Sequence, residues 1–164
     1  MKFSVGILTI SDKGHAGERE DTAGPELGNL LDPQTFKIAA TGLVPDEHEA
    51  IVAQLVDWSD QDHLDLVLTT GGTGLTPRDI TPEATLAVAE RLVPGIPEAM
   101  RAAGLQKTPH AMLSRAVCVT RGCTLIINLP GSPKGARESL AAILPALPHA
   151  LEKLQGSPGE CGKA

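Results

Sequence analysis

The chain has no tyrosine and only three aromatic side chains, Phe3, Phe36 and Trp58. Single-stranded nucleic acid therefore finds no stacking platform on it. Positive charge is also scarce: 14 Lys and Arg stand against 20 Asp and Glu, a net charge of −6. That sign argues against general nucleic-acid binding, which needs a basic surface. The three cysteines, Cys118, Cys123 and Cys161, are odd in number and not spaced as zinc ligands, and they read as reduced thiols of a cytoplasmic protein. The opening "MKFSVGILTISD" lacks the length and cleavage pattern of a signal peptide. No apolar run approaches the ~20 residues of a membrane span, so no membrane association is expected. Repeats and low-complexity tracts are missing too.

What is present is ordinary globular material. Across 164 residues, 41% are hydrophobic and 21% charged, as in soluble single domains that bury on the order of 70% of their unfolded surface. Residues 1–155 read as one domain and 156–164, "GSPGECGKA", as a flexible C-terminal tail.

Short apolar runs at 3–10, 36–44, 65–70, 116–120 and 124–129 read as strands, the first covered on both faces. Helical patterns fill the spaces between them, over 22–31, 47–61, a segment starting at Thr81, 94–105 and 136–154. The last is interrupted by Pro145 and Pro148. Asp46 stands where the N-cap of the second helix belongs, and Thr81 where a cap precedes Pro82 in a first turn. "RGC", 121–123, joins the last two strands as a tight hairpin. Alternating strands and helices predict an α/β fold with a mainly parallel sheet and a short antiparallel hairpin. Ligands of such sheets bind beyond the carboxyl ends of the strands, and glycine-rich turns follow Thr70 and Leu129 there.

The first of these turns opens "GGTGLTPRDITPEAT". Gly71, Gly72 and Gly74 allow backbone N–H groups to converge on an anion. Taken alone, the loop is equally a strand-to-helix turn that happens to be rich in glycine. It is neither a P-loop, since Leu75 and Thr76 follow Gly74, nor a dinucleotide fingerprint, since Pro77 takes the last glycine position. Asp46 and Asp79, read singly, are helix caps or dipole partners. Read together, they place two carboxylates on the rim beside a phosphate cradle. Mg²⁺ reconciles them with a polyphosphate, because it takes one or two carboxylates plus phosphate oxygens. Ser11-Asp12, Ser114-Arg115 and Lys134 after "PGSP" are further polar candidates, each also explained as turn or solvent-exposed residues. No catalytic triad or nucleophile elbow is visible, so covalent catalysis is not suggested.

"TTGGTGLTPRDITPEAT", with "ISD", "VPDE", "AMLSR" and "LIINLPGSPKG", resembles the molybdopterin adenylyltransferases of molybdenum-cofactor biosynthesis. That group includes the bacterial MogA-type enzymes and the G domains of plant and animal proteins, gephyrin among them. The likeness runs in order from about Phe3 to Leu154. It implies a three-layer α/β/α sandwich, usually a homotrimer, that transfers AMP from ATP to the terminal phosphate of molybdopterin with Mg²⁺ and releases pyrophosphate. The product then passes to a partner, a molybdenum insertase. Asp46 and Asp79 fall on the family's catalytic, metal-holding positions. Gly71, Gly72, Thr73 and Gly74 fall on its nucleotide loop. Ser11, Asp12, Ser114, Arg115, Pro130 and Gly131 fall on or beside its molybdopterin contacts. Gly104 departs from the pattern, standing where relatives often carry serine. Either the pterin loses a hydroxyl contact there or the Gly104 N–H substitutes for it. A non-catalytic pterin-binding or scaffold module, and a related domain of a molybdenum insertase or a nucleotide-recycling hydrolase, remain the alternatives.

Overall fold

In the computed structural model, which describes residues 1–156, a six-stranded sheet forms the middle layer. Its strands are β1 (Phe3–Ile10), β2 (Phe36–Val44), β3 (Leu66–Thr70), β4 (Arg91–Leu92), β5 (Cys118–Arg121) and β6 (Thr124–Leu129). They lie in the order β2-β1-β3-β6-β5-β4. Pairing is parallel from β2 through β6 and antiparallel from β6 to β4. The expected sheet and hairpin are both present.

Two-residue alternation sorts the strands' side chains between two cores. Val5, Ile7, Leu66, Leu68, Leu125 and Ile127 face one side, with Leu27 of α2 (Ala23–Leu30), Met100 of α5 (Gly95–Leu105), Leu140 of α6 (Pro133–Ile143) and Leu151 of α7 (Leu147–Leu154). Leu8, Ile10, Val67, Val119 and Ile126 face the other, with Ile51 and Leu55 of α3 (His48–Val56) and Ala84 of α4 (Thr81–Ala87). Helices thus cover both faces, giving the three-layer sandwich. The chain reaches it without a single helix long and apolar enough to cross a membrane among the described residues.

Several local expectations change. The segment after β1 contains a one-turn helix, α1 (Asp12–His15), capped by the Ser11 side chain, which accepts from the Gly14 N–H at 3.0 Å. Glu47, not Asp46, is the N-cap of α3, and its side chain makes no cap bond. Asp46 is drawn elsewhere, as described below. Thr81 is the first residue of α4, not its cap, and its buried hydroxyl has no partner. The strand expected over 116–120 begins at Cys118, because the Val117 N–H bonds to the Asn128 side chain at 3.2 Å instead of entering a regular ladder. The two-residue strand β4 was not foreseen, since its residues are too few to show any periodicity. The closing helix breaks at a 3₁₀ turn, Leu144–Ala146, as its prolines demand. Cys118 is buried, which pushes its thiol up to about 12, while Cys123 is exposed; both are free. Cys161 and the tail from 157 onward lie outside the described residues.

At the amino ends of the parallel strands, the Asp65 carboxylate accepts from both the N–H and the hydroxyl of Ser4, each at 2.7 Å, and from the Gln155 amide at 2.6 Å. Both ends of the domain are therefore pinned at the end of the sheet opposite the glycine-rich turns.

Asn128 is fully buried and links β6 to its neighbours. Its amide donates to Thr69 Oγ1 at 3.0 Å and Thr85 Oγ1 at 2.9 Å, while its Oδ1 accepts from Val117. An Asn128→Leu chain keeps the branched outline at a somewhat larger volume but strands these three partners. Urea unfolding is expected to show a loss of about 2–4 kcal/mol.

Candidate active site

Two bends meet at the carboxyl ends of the strands. After β3 the chain turns at Gly71, whose φ is +108° and whose N–H donates to the Leu129 carbonyl at 3.1 Å. A Cβ at Gly71 would lie 2.2 Å from the Ile10 carbonyl oxygen, so only glycine lets the three strand ends close up. Gly72 also has positive φ, +67°, and a Cβ there would meet Thr81 Oγ1 at 2.2 Å and Asp46 Oδ1 at 3.2 Å. From the other bend, the Cβ position of Gly131 falls 3.2 Å from Gly71 Cα, and the Pro130 carbonyl accepts from Thr70 Oγ1 at 2.7 Å. The two turns expected on one rim form a single backbone ridge.

A cleft of about 700 Å³ lies on one side of the ridge. It is lined by Ser11, Asp46, Gly71, Gly72, Asp79 and Gly131, all six foreseen from the sequence. Arg19, Glu20, Asp21 and Ser132 line it as well. Across the ridge is a second pocket of about 330 Å³, lined by Thr73, Gly74, Ser114 and Pro130 together with Met100, Arg101, Ala111 and Leu113. Ser132 belongs to both. All the foreseen residues but Asp12, Arg115 and Lys134, which line neither, are thus divided between two adjoining cavities.

Asp46 is the electrostatic centre of the larger cleft. Its Oδ2 accepts from the Asp12 N–H at 2.9 Å, and its own N–H donates to Asp12 Oδ1 at 3.0 Å. Burial raises the Asp46 carboxyl above the ordinary aspartate value. The Asp12 N–H and Arg78 oppose the rise, while the carboxylates of Asp12 and Asp79 add to it. Asp79 is fixed by its own turn: its Oδ2 accepts from the Thr76 N–H at 2.9 Å and hydroxyl at 2.7 Å.

Arg78 and Arg115 are committed to the protein. Arg78 grips Asp12 with Nε to Oδ2 at 3.0 Å and Nη2 to Oδ1 at 2.8 Å, which holds the Asp12 carboxyl below its usual range. Arg115 donates from Nε to the Gly74 carbonyl at 2.8 Å, and from its Nη atoms to the Asp79 carbonyl and the Glu83 carboxylate. Its N–H bonds to the Thr73 carbonyl at 3.0 Å. It therefore clamps both ends of the turn that carries Asp79. Gly104 lies inside α5, where its N–H belongs to the helix ladder. The suggested amide contact to a ligand is ruled out by that placement. A Cβ there would stand 2.7 Å from the Ala111 side chain, so Gly104 fits its neighbour rather than merely lacking a hydroxyl.

Sequence reasoning missed Arg101, which lines the smaller pocket and donates to the Ser114 and Ala116 carbonyls at 3.3 and 3.2 Å. It missed Asp21 too, which accepts from Thr9 Oγ1 at 2.7 Å and the Gly24 N–H at 3.0 Å. Both sit in segments whose local pattern reads as solvated charge.

The chain is similar to known proteins over most of its length. Residues 6–149 match the family described as "Probable molybdopterin binding domain". A molybdopterin adenylyltransferase of Helicobacter pylori (strain J99) is 41% identical over 158 residues, covering 93% of this chain and 88% of that protein. Gephyrin of Dictyostelium discoideum is 43% identical over 96% of this chain, which spans only 23% of that longer protein. Among solved structures, the molybdopterin biosynthesis enzyme MoaB of Thermus thermophilus superposes with a TM-score of 0.90 at 57% identity, over 96% of this chain and 99% of that one.

Two stability measurements follow from the ridge and the buried acid. Gly71→Ala is expected to destabilise the fold by roughly 2–4 kcal/mol, because it combines a disfavoured φ with a backbone collision. Asp46 has a folded pKa above its unfolded one, so folding takes up a proton there and stability falls as pH rises through the window between the two. Asp46→Asn is therefore expected to raise the melting temperature near pH 7. The advantage should shrink as pH falls through that window and vanish below the ordinary aspartate range. Melting curves across that range check the sign.

Proposed function

The chain belongs to the molybdopterin-binding family of molybdenum-cofactor biosynthesis, and from that premise we propose that it adenylylates molybdopterin, using ATP and Mg²⁺ and releasing pyrophosphate. The observation that carries the reading is the convergence of Asp46 and Asp79 on the cleft beside the Gly71–Gly72 amides. Two acids there oppose an anionic ligand unless a cation accompanies it.

The donor set fits Mg²⁺. No group of three or more His, Cys, Asp or Glu side chains among the described residues forms a self-sufficient cage. One or two carboxylates completed by substrate phosphates is the mode this ion favours. Asp46 has Oδ1 facing the ridge, its charge disfavoured by burial and by neighbouring carboxylates, a condition a cation relieves. Asp46 and Asp79 would hold the ion, which when bound draws off charge from the phosphate oxygens.

The remaining work is positioning. The attacking group is a phosphate oxygen of molybdopterin, already ionised at neutral pH, so the protein need supply neither a base nor a nucleophile. Its oxygen bonds to the α-phosphorus of ATP as the bond to the β-phosphate oxygen breaks and pyrophosphate departs. Ridge amides other than that of Gly71, which is held by the Leu129 carbonyl, and the start of α6, capped by Ser132 through the Gly135 N–H at 3.1 Å, orient the phosphates. The acid-lined cleft suits the triphosphate. The smaller pocket, with flat apolar walls at Met100 and Ala111 and hydroxyls at Ser114 and Ser132, suits the pterin. Ligands in the two would meet across the ridge. Ser11, whose hydroxyl proton stays free after capping α1, is placed to donate to a phosphate in the larger cleft.

The same reading makes the working protein a homotrimer in the cytoplasm that hands its product to a molybdenum insertase. Exposed Leu75, Met112 and Leu113, next in sequence to site residues, offer apolar surface for such contacts. Free thiols at Cys118 and Cys123 suit a reducing compartment.

Pyrophosphate release with molybdopterin, ATP and Mg²⁺ tests the reaction. Asp79→Asn is expected to lower turnover by roughly 100-fold or more, with pterin affinity nearly unchanged. Equal loss of both, or full turnover, removes Asp79 from the metal role.

A further inference from the structure

We infer that Asp12 and Arg78 form a positioning latch that sets the Asp46 carboxylate, so that Asp12 serves the reaction through Asp46 and not as a ligand of the pterin. This deepens the reading of Asp46 given above and rests on it.

The latch joins three loops that are distant in sequence. Asp12 follows β1, Asp46 follows β2 and Arg78 follows β3. Asp12 and Asp46 exchange two hydrogen bonds, each backbone N–H donating to the other's carboxylate at 2.9 and 3.0 Å. This reciprocal pair fixes the Asp46 side chain: Oδ2 is occupied by the Asp12 N–H, and Oδ1 is left facing Gly72. The Arg78 fork then holds the Asp12 carboxylate by both oxygens.

With Oδ1 shared between the Asp46 N–H and Arg78 Nη2, and Oδ2 taken by Arg78 Nε, the Asp12 carboxylate is spent on the protein. Asp12 lines neither cavity, whereas Asp46 lines the larger one. Nor does fold stability explain the fork. The two side chains are 58% and 42% exposed, and ion pairs so open to water contribute little to folding. A bidentate guanidinium–carboxylate pair does, however, impose geometry. Here the geometry it imposes is that of the neighbouring acid.

The test uses the full chain with Asp12→Asn, Arg78→Gln, Arg78→Lys, the Asp12→Asn/Arg78→Gln double variant and Asp46→Asn. Turnover is read by pyrophosphate release, molybdopterin binding by the pterin's own fluorescence, and folding by melting temperature. Each of Asp12→Asn and Arg78→Gln is expected to lower kcat on the order of 10- to 100-fold, with pterin affinity and melting temperature nearly unchanged. Arg78→Lys should fall between wild type and Arg78→Gln. The double variant should be no slower than the slower single one, because both break one linkage.

Additive losses would overturn the latch, since Arg78 would then be acting by itself on a phosphate. So would parallel losses of turnover and pterin affinity in Asp12→Asn, which make Asp12 a pterin ligand. Wild-type turnover in both single variants, with Asp46→Asn impaired, sinks the latch and leaves the role of Asp46 standing. Full turnover in Asp46→Asn instead sinks that role first. If Asp12→Asn fails to fold, the two Arg78 variants, altered only at an exposed side chain, still decide the matter.

Discussion

The close approach of two backbone bends, with Gly71 donating to the Leu129 carbonyl while Gly131 lies against its Cα, is the constraint on which the rim of this molecule depends. The parallel pairing of β1, β3 and β6 brings three strand ends to one edge. Side chains at the bends would hold them apart. Glycine permits contact and leaves a ridge of backbone with a cavity on either flank. The carboxylates then take their places relative to that ridge: Asp46 through Gly72, and Asp79 through the turn that Arg115 clamps at Gly74 and Asp79.

Charge is distributed by the same logic. The protein is acidic overall, and the larger of the two cavities at the ridge is lined by Glu20, Asp21, Asp46 and Asp79. Arg78 and Arg115 are engaged with Asp12 and Glu83, while Arg19 lines the larger cleft and Arg101 the smaller pocket. Arg78 is thus a structural commitment and not a counter-charge left over for a ligand. On the proposed function, a polyanion would be drawn by backbone N–H groups, by Arg19 in the cleft and by a counter-ion brought with it.

Much of this was legible in the sequence. Strand limits at 3–10, 36–44 and 124–129 match because apolar-rich runs flanked by turn residues have few other solutions. Asp46, Asp79, Gly71, Gly72 and Gly131 of the larger cleft were found because acids and glycines clustered at strand ends point to a ligand site. What escaped was long-range partnership. Asp46 looked like a helix cap because its sequence neighbours suit one. Its actual partner is 34 residues away and reaches it only through the order of strands in the sheet. Arg115 looked like a ligand contact and is a clamp across 32 to 41 residues. Local patterns cannot reveal which distant group will saturate a side chain. The division of the foreseen residues between two cavities was hidden for the same reason, since the ridge separating them is itself made by two segments 60 residues apart, as the Thr70–Pro130 bond between them shows.

Ser4, Asp65 and Gln155 knot the first strand and last helix together at the far end of the sheet from the ridge. Polypeptide entering and leaving the domain does so side by side, behind the chemistry. The fold therefore behaves as a cassette: it can be spliced into a much larger architecture at either terminus while its working edge stays open to solvent and to incoming ligands.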